Sequence, residues 1–184
     1  MKTLKKTKQV VLKIMMLFIS FTTSLTLAQT LEENKVDEFT NDSVKRTSWE
    51  TLNKTMSFTA FYRISRVNDN NFLELKLMIN EGTKLKTFSI GKEQEIMFKL
   101  ENGEVVKLAN LEYAITCTGC GARGFGGSTG QGIQVTYLMG KEEFDKLKNN
   151  AVVKVRIYTS DGYVEETIKE KNSKKIPIML KLVE

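Results

Sequence analysis

Apolar side chains recur at every second position through much of the chain. Phe58, Ala60, Tyr62 and Ile64 share one face of residues 57–67, with Arg63 and Arg66 elsewhere. Phe72, Leu73, Leu75, Leu77 and Ile79 form the next run, after the polar Asn68-Asp69-Asn70-Asn71. A period of two marks a strand with one wet face, and two such runs across a turn predict a hairpin. Further strands are predicted over 85–90, 95–100, 105–108, 111–116, 133–138, 152–159 and 163–168. Asn102-Gly103 predicts a type I′ turn with both residues at positive φ. Asp161-Gly162 predicts a second hairpin.

Helical patterning is scarce. Residues 141–149 carry Phe144 and Leu147 at i, i+3 among charges, which predicts a short surface helix. In the tail, Ser173 and Pro177 suit a helix cap and first turn. Ile176, Ile178, Leu180 and Leu182 also alternate as in a strand; the helix is the reading adopted here. The expected fold is mostly β: an antiparallel β-sandwich or partly open barrel of about nine strands, with one or two short helices. The wet face rules against a parallel βαβ core.

The first 28 residues depart from this pattern. Lys2, Lys5, Lys6 and Lys8 precede an apolar stretch centred on residues 14–19, and Thr26-Leu27-Ala28 places small residues before Gln29. That order is a cleavable secretory signal. Lys13 and five hydroxyl residues make the stretch a poor membrane anchor. The expected organisation is a signal over 1–28, a loose polar lead over 29–38, and a single β domain over 39–184. The destination is the periplasm or the exterior, with no membrane span after cleavage.

The signal also changes the charge. The whole chain has 28 basic and 22 acidic residues, a net charge of +6. Five of those lysines lie in the signal, leaving 23 against 22, or +1. Nucleic-acid binding rests on neutralising phosphates and loses its support.

One segment breaks the alternation: Cys117-Thr118-Gly119-Cys120-Gly121-Ala122-Arg123-Gly124-Phe125-Gly126-Gly127-Ser128-Thr129-Gly130-Gln131-Gly132. It holds seven of the twelve glycines and both cysteines. Such glycine density serves unusual φ angles, close approach to the backbone, or mobility. A structural disulfide suits an exported domain with two cysteines and no leftover. Cys-x-x-Cys is also the spacing of thiol–disulfide exchangers, whose first thiol is acidified by a helix N-terminus, and no helix pattern follows here. Zinc needs three or four ligands, and the chain offers two Cys and no His. Gly119-x-Gly121-x-x-Gly124 matches a dinucleotide cradle in letters, without the helix that cradle needs. No cofactor or metal is expected. Arg123, Ser128, Thr129 and Gln131 are candidate contacts for an anionic or sugar ligand, with Phe125 as an apolar contact.

The stretch Leu111-Glu112-Tyr113 … Thr116-Cys117-Thr118-Gly119-Cys120-Gly121-Ala122 resembles uncharacterised small exported bacterial β-domain proteins. The resemblance extends over the preceding strands and the hairpin at 158–164. It implies a β domain and export, and carries no activity or ligand.

Histidine is absent, which removes Ser-His-Asp and Cys-His catalysis. Glu142/Glu143 and Glu165/Glu166 are adjacent acids whose side chains diverge, so they read as solvated faces. Trp49 reads as core or as a sugar platform. The functional expectation is a non-catalytic exported domain that binds a protein or glycan, or has a structural role in the envelope, through the 117–132 loop. The alternatives are a thiol–disulfide redox protein using Cys117 and Cys120, and an inhibitor or surface-assembly subunit that adds an edge strand to its partner.

Overall fold

The computed structural model describes residues 30–55, 58–79, 87–120 and 131–184. The expected signal lies outside them. Among the described residues no helix is long and apolar enough to cross a membrane.

The alternation at 57–79 becomes the central hairpin. Strands β4 (Phe58–Val67) and β5 (Asn70–Ile79) pair Phe58 with Ile79, Ala60 with Leu77, Tyr62 with Leu75 and Ile64 with Leu73. All eight side chains are buried. Burial of such a large apolar side chain contributes about 1.5–3 kcal/mol, so this face dictates the register. Strand β11 (Gln131–Met139) lies on the other side of β5 and adds Ile133, Val135 and Tyr137 to the same face.

The remaining strands extend this sheet, except Ser89–Ile90 and Ala114–Ile115, which form a separate two-stranded sheet. They are β1 (Leu31–Val36), β2 (Ser43–Thr47), β3 (Glu50–Lys54), β6 (Ser89–Ile90), β7 (Ile96–Leu100), β8 (Val105–Asn110), β9 (Ala114–Ile115), β10 (Cys117–Thr118), β12 (Val152–Thr159) and β13 (Gly162–Thr167). The main path is antiparallel and runs β1-β2-β4-β5-β11-β8-β7-β12-β13. It does not close: β1 and β13 stand at its two ends. Strand β8 turns the corner, pairing Ala109 and Asn110 with β11 and residues 105–108 with β7. The fold is thus mostly β and open, as the alternation implied. The inner faces of both halves merge into one core, with Ile96, Phe98, Leu108, Val155 and Ile157 opposite the central hairpin.

Two nine-residue helices and a single turn complete it. Helix α1 (Lys141–Asn149) buries Phe144 and Leu147. The turn α2 (Glu170–Ser173) leads into α3 (Lys175–Val183), which buries Ile176, Met179, Leu180 and Val183 and packs against α1, β2 and β4. That spacing is helical, and Ile178, which a strand would bury beside Ile176, is exposed.

Four expectations need correction. The described part of the expected 29–38 lead, from residue 30 on, is not loose, because Leu31–Val36 pairs with β2 as an edge strand and Leu31 packs on the core. Asn102-Gly103 does not form a type I′ turn. Gly103 alone takes positive φ, at 90°, and its N–H bonds to the Leu100 carbonyl, so a three-residue loop with a bulge glycine joins β7 to β8. Ser173 caps nothing in α3; its hydroxyl donates to the Glu170 carbonyl and closes α2. Trp49 is not core. It sits between β2 and β3, with the Arg63 guanidinium 4.5 Å and the Lys76 ammonium 4.3 Å from its ring centre.

Candidate functional site

The chain leaves β8 through Asn110, a buried amide. Its Nδ2 donates to the carbonyls of Ile90 at 3.2 Å, Gly91 at 3.3 Å and Glu112. These bonds hold the segment after β8 against β6. Strand β9 then pairs Ala114 and Ile115 with Ile90 and Ser89. The Thr116 N–H reaches the Phe88 carbonyl at 3.0 Å, and the Leu111 N–H reaches that of Thr136 at 3.0 Å. Ala114 and Thr116 therefore point inward. Leu111, Tyr113 and Ile115 point out, and are 40%, 65% and 52% exposed.

This apolar stripe runs into the cysteine segment. Strand β10 pairs Cys117 with Gly132 and Thr118 with Gln131. Cys117 and Cys120 form a disulfide, with Cα atoms 5.3 Å apart. Gly119 takes φ 77°, which a glycine accepts freely, and the Cys120 N–H bonds to the Cys117 carbonyl at 3.3 Å. The Gln131 Nε2 donates to Thr118 Oγ1 at 2.9 Å. A side-chain carbon at Gly132 would strike the Cys120 carbonyl and come within 2.7 Å of the Leu77 oxygen. The two ends of the glycine-rich loop are thus fastened side by side in a rigid collar.

Of the expected ligand residues, Gln131 stands at this collar and spends its amide on bracing it. Arg123, Phe125, Ser128 and Thr129 lie outside the described residues. Cys117 is exposed, as thiol exchange would want. It lies in a strand, however, and Cys120 in a turn, so among the described residues neither stands at the helix N-terminus that acidifies an attacking thiol.

No family model, curated protein or solved structure matches this chain.

Chemistry must therefore separate this surface from its competitors. The outer face of the first half-sheet carries a charge ladder. Arg63 donates twice to Glu74, at 2.9 and 2.6 Å, and Arg46 bonds Glu33 and lies 3.4 Å from Glu74. Partial burial, then the nearby Arg63, lowers the Lys76 pKa from its ordinary value. On the second half, Glu165 bonds Lys154 and Arg156, and Arg156 stacks on Tyr163 at 4.6 Å. Lys154 foremost, then Arg156, holds the Glu165 carboxyl below its usual range. Both patches largely neutralise themselves. The two path edges are also guarded: β1 carries a bulge at Leu31/Glu33 with Glu32 and Lys35, and β13 carries Glu165 and Glu166.

Sequence reasoning placed 111–116 in a strand without assigning its faces, because alternation reads equally well either way round. Asn110 left no signal at all, since its role depends on carbonyls 20 residues away.

Proposed function

We propose that this is a non-catalytic exported domain that binds a protein partner at its disulfide-braced end, across Leu111, Tyr113, Ile115 and the glycine-rich loop beyond them. One observation carries the reading: three large apolar side chains stand in water on a backbone pinned by Asn110 and the Cys117–Cys120 bond. Pre-ordered apolar and aromatic groups are what protein interfaces bury, and rigidity lowers the entropic cost of docking. A glycan would want a denser set of hydrogen-bonding groups than this stripe offers. Export rests on the 1–28 signal pattern, and it supplies the oxidising setting in which such a bond persists.

A photo-crosslinking side chain placed at Tyr113 in the producing cell tests the reading. The expected result is a discrete protein adduct that disappears when Ile115 is changed to Glu. No adduct, or an equal one to the same protein from the exposed Phe39 in the β1–β2 turn, would overturn it.

A further inference from the structure

The β1–β2 turn holds one aromatic side chain clear of the fold: Phe39 is 96% exposed. The backbone beneath it is closely bonded. Asp37 Oδ1 accepts the Phe39 and Thr40 N–H groups at 2.9 and 3.0 Å, and the Asp37 N–H reaches the Asp42 carbonyl at 2.8 Å. Asn68 Nδ2 donates to Asp42 Oδ1 at 2.6 Å and ties this turn to the β4–β5 turn. A ring presented on so ordered a turn loses little further freedom on docking, and it brings a large apolar face to bury. Asp37, Glu38 and Asp42 surround it with negative charge.

The outer face of β7, β8, β12 and β13 carries features that match it. A cleft of about 150 Å³ is walled there by Met97 and Val105 and rimmed by Lys99, Lys154, Arg156 and Glu165. A cavity of about 150 Å³ is enough for one benzene ring. Val105 is 50% exposed, so its apolar surface is open to a partner. Lys99 and Lys154 stand directly opposite each other in the β7–β12 pairing, a like-charge pair that destabilises the ladder unless an anion answers it. Glu165 bonds Lys154 and Arg156, each at 2.8 Å. Lys99 has no acidic partner among the described residues.

We propose that the Phe39 turn of one copy docks in this cleft of a second copy, with the ring between Met97 and Val105 and the Glu38 carboxylate on Lys99. Charge steers the approach, because the acidic turn meets a rim on which bases outnumber acids. Turn and cleft are different surfaces, so the contact is head-to-tail and repeats into a ring or a filament. Leu111 lies beyond the opposite end of β8 from Val105, about 20 Å along the strand, so self-association leaves the apolar stripe open to its own partner.

The test is analytical sedimentation of the exported chain over a range of about 10–500 μM at low salt. The expected result is an average mass that rises with concentration, with a Kd of about 100 μM. Raising the salt to about 0.5 M should weaken the association. Phe39→Ser keeps the cleft and Lys99→Glu keeps the finger, and each should weaken self-association at least about tenfold. Both positions are exposed, and Lys99→Glu sets an acid opposite Lys154, so both variants should fold. Mixed in equal amounts, the two variants should form a dimer and nothing larger, because one working finger and one working cleft remain in each pair. Tyr113→Glu should associate as the wild type does, which separates this contact from the protein-binding stripe. Four results would overturn the proposal: a monomer at every concentration, full association by Phe39→Ser, loss of association by Tyr113→Glu, or no dimer in the mixture.

Discussion

The Cys120 carbonyl occupies the space that a side chain on Gly132 would need. This contact locks the start of β11 to the disulfide turn, and the Leu77 carbonyl closes the other side at 2.7 Å. Gly132→Ala must push backbone against backbone, where no flexible side chain can give way. The expected loss is about 1–3 kcal/mol, as for other overpacked sites, read as a lower urea midpoint.

The disulfide itself spans a short loop, so it removes little chain entropy. Replacing Cys117 and Cys120 together by Ser should cost at most about 2 kcal/mol and leave the fold intact. A structural bond of this kind should show a reduction potential below about −300 mV. A thiol–disulfide exchanger would show a markedly higher value in the same measurement.

Asn110 is the joint between the sheet and the stripe. Asn110→Ala leaves the carbonyls of Ile90, Gly91 and Glu112 without their shared donor. The expected cost is about 1–3 kcal/mol. Hydrogen exchange should show the loss locally, with protection falling in β6 and β9 before it falls in β4 and β5.

Acid should destabilise the domain from its ion pairs inward. Glu33 and Glu165 lie below their ordinary value of 4.5, chiefly through hydrogen bonds from Lys35 and Lys154 respectively. Asp37 and Asp42 lie below 3.8, chiefly through the Thr40 backbone N–H and the Asn68 amide. A depressed folded-state pKa gives stability that is present above the unfolded value and is lost as pH falls through the folded one. The urea midpoint should therefore hold steady from neutral pH to about pH 5 and fall below about pH 4.5. Glu165→Gln should shrink that fall.

How far the sequence reveals this fold depends on what sets each element. The β4–β5 and β12–β13 hairpins and helix α1 follow from their own side-chain period, so they stand near where the pattern puts them. Strands β1, β2 and β3 do not announce themselves. Their residues are mostly polar, and the ladder to β4 defines them: Thr47 interrupts the pairing, and its hydroxyl accepts the Ile64 N–H at 3.0 Å. Trp49 reads as core by residue type and lies instead on cationic side chains across the outer face. The cysteine pair was legible as a disulfide, while the stripe beside it was visible only as a strand. Which of its faces is wet depends on Asn110 and the Ala114–Ile90 pairing, neither of which leaves a local mark.

The central claim is that Leu111, Tyr113 and Ile115 form a docking surface. Its most direct test is the affinity of the protein crosslinked at Tyr113 for the purified domain, compared between wild type and the Tyr113→Glu/Ile115→Glu double variant. Both side chains are exposed, so the variant should fold with an unchanged urea midpoint. Loss of two central apolar anchors should weaken binding by at least about 30-fold. Phe39→Glu, in the β1–β2 turn at the other end of the sheet, should leave it unchanged. An affinity for the double variant equal to that of wild type would contradict the account.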